Sequence, residues 1–266
     1  MSKKPLLSVK KLSVEIHKKG IDNGKDVLIP VDQISFDIFP GEICGLVGKS
    51  GCGKTLTALS ITGLLPHSAR NAGSINFCGL ELLTLSEKEL CDVRGRQIAM
   101  IFQEPGSSLN PLMKTGKQIT ESLEIHFPQN NRRQNRLKAI ELMKKLGLKN
   151  AEYLMETYPF MLSGGMCQRV MIALAMICGP GLLIADEPTT SLDIKTQSQI
   201  IELLKTINRE TGTAMLFISH DLGIIRDLCG RVLVMHCGKI VEQGITEEVF
   251  TSPGHEYTRS LLKEQT

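Results

Sequence analysis

The chain has almost no excess of charge: 31 Lys and Arg against 28 Asp and Glu leave +3 over 266 residues. So small a balance on a chain this long does not imply the basic footprint of a nucleic-acid-binding protein. The one basic cluster, Arg132, Arg133, Arg136 and Lys138, reads as a solvated helix face, with an anionic-lipid or partner contact as the alternative. Long apolar runs are missing too. The longest, VMIALAMIC at 170–178, has nine residues and stops at Gly179 and Pro180, whereas a helix needs about 20 to cross a bilayer. Any membrane association is therefore expected to be peripheral. The start, MSKKPLLSVKKLSVEI, carries charge without an apolar stretch behind it, so no secretory signal is read and the chain is expected to stay in the cytoplasm. The eight cysteines include no C-x-x-C pair and no Cys/His set with zinc spacing. They read as reduced thiols, mostly filling the core. Internal repeats and low-complexity tracts are absent as well.

What is present is a series of short apolar, β-branched runs that end abruptly in polar residues. They are EICGLVG before a glycine-rich loop, IAMIFQ ending at Gln103, GLLIADE ending at Asp186 and Glu187, and AMLFISH ending at His220. Runs of this length, apolar throughout, fit strands buried on both faces of a parallel sheet. In open α/β sheets the carboxyl ends of such strands form the ligand crevice, so the polar residues are expected to collect along one edge. Helices alternate with the strands. TQSQIIELLKTINRETG puts Ile200, Leu203, Leu204 and Ile207 on one face and stops at Gly212, and the segment after Lys54 runs apolar to Gly63. About 106–165 begins rich in turns and becomes helical and charged, which reads as an inserted helical subdomain. The first forty or so residues, with GSINFCG, read as a small antiparallel sheet beside the core, and HKKGIDNGKD as a loop within it.

The glycine-rich loop is Gly48, Lys49, Ser50, Gly51, Cys52, Gly53, Lys54 and Thr55, the spacing G-x-x-x-x-G-K-T between a strand and a helix. Small residues let successive amides curl round a polyphosphate, the lysine neutralises its outer groups, and the hydroxyl ligates Mg²⁺. Asp186 and Glu187 place two carboxylates at one strand end, one to reach the metal and the next to polarise an attacking water as general base. LSGGMCQR, with Ser163, Gly164 and Gly165, opens an apolar helix and forms a second anion-binding helix start.

Together these segments resemble the ATP-binding-cassette (ABC) ATPases, whose signature contacts the γ-phosphate held by the glycine loop of a facing subunit. The resemblance implies an α/β, P-loop (RecA-like) ATPase core with a mainly parallel sheet, flanked by an antiparallel β-subdomain and carrying the helical insertion. The whole of 1–266 is then one nucleotide-binding domain with a short C-terminal tail at about 246–266. It makes Gln103 the Q-loop glutamine, a catalytic and Mg²⁺-binding residue with Thr55 and Asp186. Ser191, Leu192 and Asp193 become the D-loop, with Asp193 at the nucleotide, and His220 the catalytic switch histidine.

MIFQEPGSSLNPLMKTGKQITESL, TYPFMLSGGMCQR, IADEPTTSLD and GKIVEQGITEEVFTSPGHEYTRSLL are similar to the ATPase subunits of oligopeptide, dipeptide and nickel importers. That similarity implies ATP and Mg²⁺ as ligands and a second cassette, identical or paralogous, in a nucleotide-sandwich dimer. It further implies two membrane permeases, an extracytoplasmic binding protein, no nucleic acid, and a place on the cytoplasmic face of the cell membrane.

The chain departs from the family in three places. GKDVLIPVDQ offers no aromatic to stack on adenine and His17 is poorly spaced for it, Cys167 stands where a basic residue is common, and Ser191 replaces a common alanine. The rival reading is a non-transport cassette acting on DNA or ribosomes. The span of about 110 residues between loop and signature holds no long coiled coil, and the chain has one cassette instead of two, both against it.

Overall fold

A run such as ICGLV, apolar at every position, suits a strand inside a sheet covered on both faces. In the computed structural model, which describes residues 4–17, 27–190 and 192–264, it forms the strand Ile43–Val47, buried beyond its first residue. The chain divides into two compact units, Met1–Leu90 with Ala214–Thr266, and Cys91–Thr213.

In the first unit, Ile43–Val47 lies between two parallel neighbours, Ala214–Ser219 and Arg231–His236. The register pairs Val47 with Ser219 on one side and with Val234 on the other. Arg231–His236 then turns back through Cys237 and Gly238 into the antiparallel strand Lys239–Ile245. Both turn residues have positive φ, 45° and 80°, the geometry that lets a two-residue turn follow the strands' twist. This hairpin was not foreseen, because cysteine is a poor marker for a left-handed turn position.

The expected antiparallel sheet is present in the same unit, ordered Val27–Ile38, Leu7–His17, Ala69–Phe77, Leu80–Glu81. Its first two strands carry register shifts, where the Ser35 and Ser13 hydroxyls accept the Lys11 and Gln33 amides at 2.9 and 3.0 Å. The loop expected at HKKGIDNGKD lies, from residue 18 to 26, outside the described residues.

In the second unit Ile98–Ile101 pairs in parallel with Leu182–Asp186, Ile101 opposite Ala185. Around them are the helices Thr115–His126, Arg132–Lys145, Gly164–Met176 and Ile194–Thr211. Arg132–Lys145 starts at a capping box formed by Asn131 and Gln134. It buries Ala139, Ile140 and Met143, while Arg132, Arg133, Arg136 and Lys138 are exposed, which a solvated face and a lipid or partner contact both require. Arg136 pairs there with Glu156 at 2.7 Å. Ile194–Thr211 ends at Gly212, φ 69°, as expected, but Ile201 and not Leu203 joins Ile200, Leu204 and Ile207 in the core. The two residues flank the stripe on opposite sides, and packing, which periodicity does not encode, selects between them.

Among the described residues no helix is long and apolar enough to cross a membrane. None of the eight cysteines is in a disulfide, but only Cys44, Cys52, Cys167 and Cys229 are buried, half of the set where most were expected. Cys78 and Cys237 instead occupy exposed turn positions with φ of 53° and 45°. Burial pushes the Cys44 thiol up to about 12, so almost none is thiolate at neutral pH. A brief thiol-reagent pulse on the native chain, mapped by mass spectrometry, should label Cys78, Cys91 and Cys237 and leave Cys44 and Cys229 until denaturant is added. Labelling of Cys44 at the rate of Cys237 would contradict this packing.

Candidate active site

The glycine loop leaves the carboxyl end of Ile43–Val47 and enters the helix Lys54–Thr62. Two glycines are there because other backbone comes too close for a side chain. A Cβ on Gly48 would sit 2.2 Å from the Met235 carbonyl oxygen, and one on Gly53, at φ 110°, 2.4 Å from that of Pro30. The turn of the adjoining hairpin closes the third side. The Gly238 amide donates to the Cys52 carbonyl at 3.2 Å, and the Gly238 carbonyl accepts from the Asp32 amide at 2.8 Å.

Lys54 is 5% exposed and donates from Nζ to the carbonyls of Gly48 at 2.8 Å and Lys49 at 3.2 Å. Its charge is therefore held inside the loop's curve. The helix behind it begins at Gly53 with no side-chain cap and no acidic residue in its first turn, so its leading amides suit an anion. Thr55 is exposed on that first turn, as are Lys49, Ser50 and Gly51 in the loop, while Cys52 is buried. Burial raises the Cys52 thiol above its usual range, and the nearby Lys54 ammonium partly offsets that. His220 follows Ser219, which lies opposite Val47, so loop and histidine leave neighbouring parallel strands at the same edge. The histidine is exposed, and the Asp221 side chain after it caps Leu222–Leu228.

The second unit repeats that logic. Ile98–Ile101 and Leu182–Asp186 end together, and Gln103 Nε2 donates to Glu187 Oε2 at 3.2 Å. The same carboxylate oxygen accepts from the Thr190 hydroxyl at 2.9 Å. Glu187 has φ 45°, a left-handed backbone that costs about 1–3 kcal/mol for a non-glycine residue and tends to mark functional positions. Asp186 is 3% exposed at the end of its strand. Of the sequence-derived residues, the structure thus brings together Gln103, Asp186 and Glu187, and separately 48–55 with His220. Thr190 was missed, although it lies in the same EPTTSLD segment.

Ser163 caps Gly164–Met176, its hydroxyl accepting the Met166 amide at 3.4 Å. Ser163 and Gly164 are exposed and Gly165 is half-buried, so the signature opens to the surface. Cys167 points inward, its thiol donating to the Pro159 carbonyl at 3.4 Å. Asp193 caps Ile194–Thr211, accepting the Thr196 amide at 3.0 Å and hydroxyl at 2.7 Å. The Thr196 amide and then the hydroxyl hold its carboxyl below the usual range. Ser191 of the expected D-loop lies outside the described residues.

A buried lysine beside a glycine loop has the chemistry to suit a polyphosphate, and a carboxylate steered by an amide and a hydroxyl that to suit a water molecule. Comparison with known proteins agrees with that chemistry. The family model described as ABC transporter matches residues 31–190. A peptidoglycan transport ATP-binding protein of Agrobacterium fabrum is 50% identical over 97% of this chain, which spans 46% of that protein. An oligopeptide transport ATP-binding protein of Bacillus subtilis is 44% identical over 97% of this chain and 77% of its own length. The chain thus spans about half the length of the first relative and about three quarters of the second. Among solved structures, a dimeric post-hydrolysis ATP-binding cassette bound to ADP and Pi superposes with TM-score 0.79 at 26% identity, covering 90% of this chain and 98% of its own. The match takes in the glycine loop, Gln103, the signature and the Asp186 and Glu187 pair alike, and the chain belongs to the ABC transporter family.

Proposed function

We propose that this chain energises the import of peptides, hydrolysing MgATP on the cytoplasmic face of the cell membrane beneath two permeases. The observation that carries the chemistry is Glu187, held by Gln103 and Thr190 at a strand end beside Asp186. In this reading the loop amides and Lys54 bind and neutralise the phosphates. Glu187 orients and deprotonates the attacking water, Gln103 keeps that carboxylate aimed, and His220 contacts the γ-phosphate. Thr55, Gln103 and Asp186 are the hard oxygen donors that would hold Mg²⁺, whose charge offsets that of the phosphates. Their small number suits Mg²⁺, which keeps waters and phosphate oxygens as its remaining ligands. Ser163, Gly164, Gly165 and Asp193 are assigned to the nucleotide of a facing cassette.

That second cassette, identical or paralogous, is a required partner, in keeping with the dimeric state in which the similar solved cassettes were found. An extracytoplasmic binding protein would deliver cargo. The relatives are named for peptidoglycan, oligopeptide and dipeptide transport, which supports a peptide-like cargo and lends nothing to nickel. The whole chain is read as one nucleotide-binding domain, with the helical part at 106–165 turned toward the permeases. DNA or ribosome work, the rival, has no support among these relatives.

Replacing the buried ammonium in Lys54→Ala should weaken MgATP binding at least about tenfold, measured by titration with the melting temperature as a control. Retained affinity would remove Lys54 from the phosphate site. Cys52 should alkylate more slowly than Cys237, and saturating MgATP should slow it further. Full alkylation with unchanged ATP affinity would displace the nucleotide from this loop. Mild-detergent purification of the tagged chain from its own membranes with MgATP should recover two polytopic proteins, a second cassette and a binding protein. Recovery of ribosomes or DNA-processing proteins instead would overturn the transport reading.

A further inference from the structure

The last described helix, Glu256–Lys263, reaches back more than 200 positions to the glycine loop. The phenol oxygen of Tyr257 accepts the backbone amide of Lys49 at 3.1 Å. Lys49 Nζ in turn meets Glu264 Oε1 at 2.8 Å. Two links therefore run from one short C-terminal segment to one loop residue, one to its backbone and one to its side chain.

The segment is itself firmly placed. The Glu242 carboxylate accepts the amides of Gly254 and His255 at 2.7 and 3.1 Å, and the His255 imidazole accepts that of Tyr257 at 3.1 Å. Thr258 and Leu261 are 1% and 5% exposed, which seats the helix. The Tyr257 ring stacks on His236, with centroids 3.8 Å apart and planes 24° off parallel. His236 ends the strand whose Met235 carbonyl lies against Gly48, so Tyr257 leans on the wall of the loop while its hydroxyl holds the amide of Lys49, the loop's second residue.

We propose that Glu256–Lys263 is a strap that sets the conformation of the phosphate loop, with Tyr257 as its positioning residue and Glu264 drawing the Lys49 ammonium aside from the phosphates. The physical basis is entropic. A loop that must aim several amides at an anion binds it more tightly if its conformation is fixed beforehand, and glycines at 48, 51 and 53 give this one much freedom to lose. An amide satisfied from outside the curl anchors the loop two residues after it leaves its strand at Val47. The inference rests on the reading of 48–55 as the phosphate site.

Tyr257→Phe keeps the ring and its stacking and removes only the hydroxyl, and Glu264→Gln removes only the charge. Amide hydrogen exchange of the nucleotide-free full chain, read at residues 48–53, should show the Lys49 amide exchanging about three- to tenfold faster in Tyr257→Phe. The KM for MgATP should rise by a similar factor with kcat unchanged, since the strap fixes the loop before binding and touches no reacting group. Unchanged exchange and an unchanged KM in Tyr257→Phe would overturn the strap. A wild-type chain that binds no MgATP, with Lys49 still released to exchange in the variant, would instead support the strap and sink the phosphate-site reading.

Discussion

A polyphosphate is held by backbone amides that converge, and amides converge only where the chain can curl tightly against something rigid. In this protein the rigid surroundings are three backbone segments packed on the glycine loop. Met235 bars any side chain at Gly48, Pro30 bars one at Gly53, and Gly238 is bonded to the Cys52 carbonyl. Each wall belongs to a different strand or turn of the first unit. The antiparallel sheet supplies Pro30, the parallel strand Arg231–His236 supplies Met235, and the turn after it supplies Gly238. Moving any of them would open the curl that keeps Lys54 buried.

The second unit meets a different constraint, that of fixing one carboxylate at a strand end. Glu187 accepts hydrogen bonds from Gln103 and Thr190 and sits in a left-handed backbone conformation at its strand's end. Two donors and a fixed backbone leave the carboxylate little freedom, which is what positioning a single water demands. Gln103 comes from the neighbouring parallel strand, so the steering contact exists because Ile101 and Ala185 are in register. In the same unit Ser163 and Asp193 each cap the first turn of a long helix.

Much of this was legible in the sequence because the four strands that carry chemistry are short, apolar runs rich in β-branched residues that stop abruptly, a pattern that suits buried parallel strands. ICGLV, IAMI, LLIAD and AMLFIS all appear as strands. What was not legible depends on contacts distant in the chain. No local signal links Tyr257 to Lys49, 208 positions apart, and the hairpin at Cys237 lacks the Asn-Gly or Asp-Gly turn that would have announced it. The inward turn of Cys167 toward Pro159 was hidden as well: a residue three positions into a helix can face core or solvent, and only packing decides. Ile201 displacing Leu203 is the same lesson on another helix.

The account stands or falls on Glu187 as the group that activates water. The most direct measurement is ATP turnover and oligomeric state of Glu187→Gln beside the unaltered protein, with the cognate second cassette present if the two differ. The substitution keeps the side chain's size and removes its basicity. The account predicts that MgATP is bound and retained, that hydrolysis is lost, and that the two cassettes migrate as a stable nucleotide-bound dimer. Turnover at the unaltered rate would contradict it and require another residue as the base.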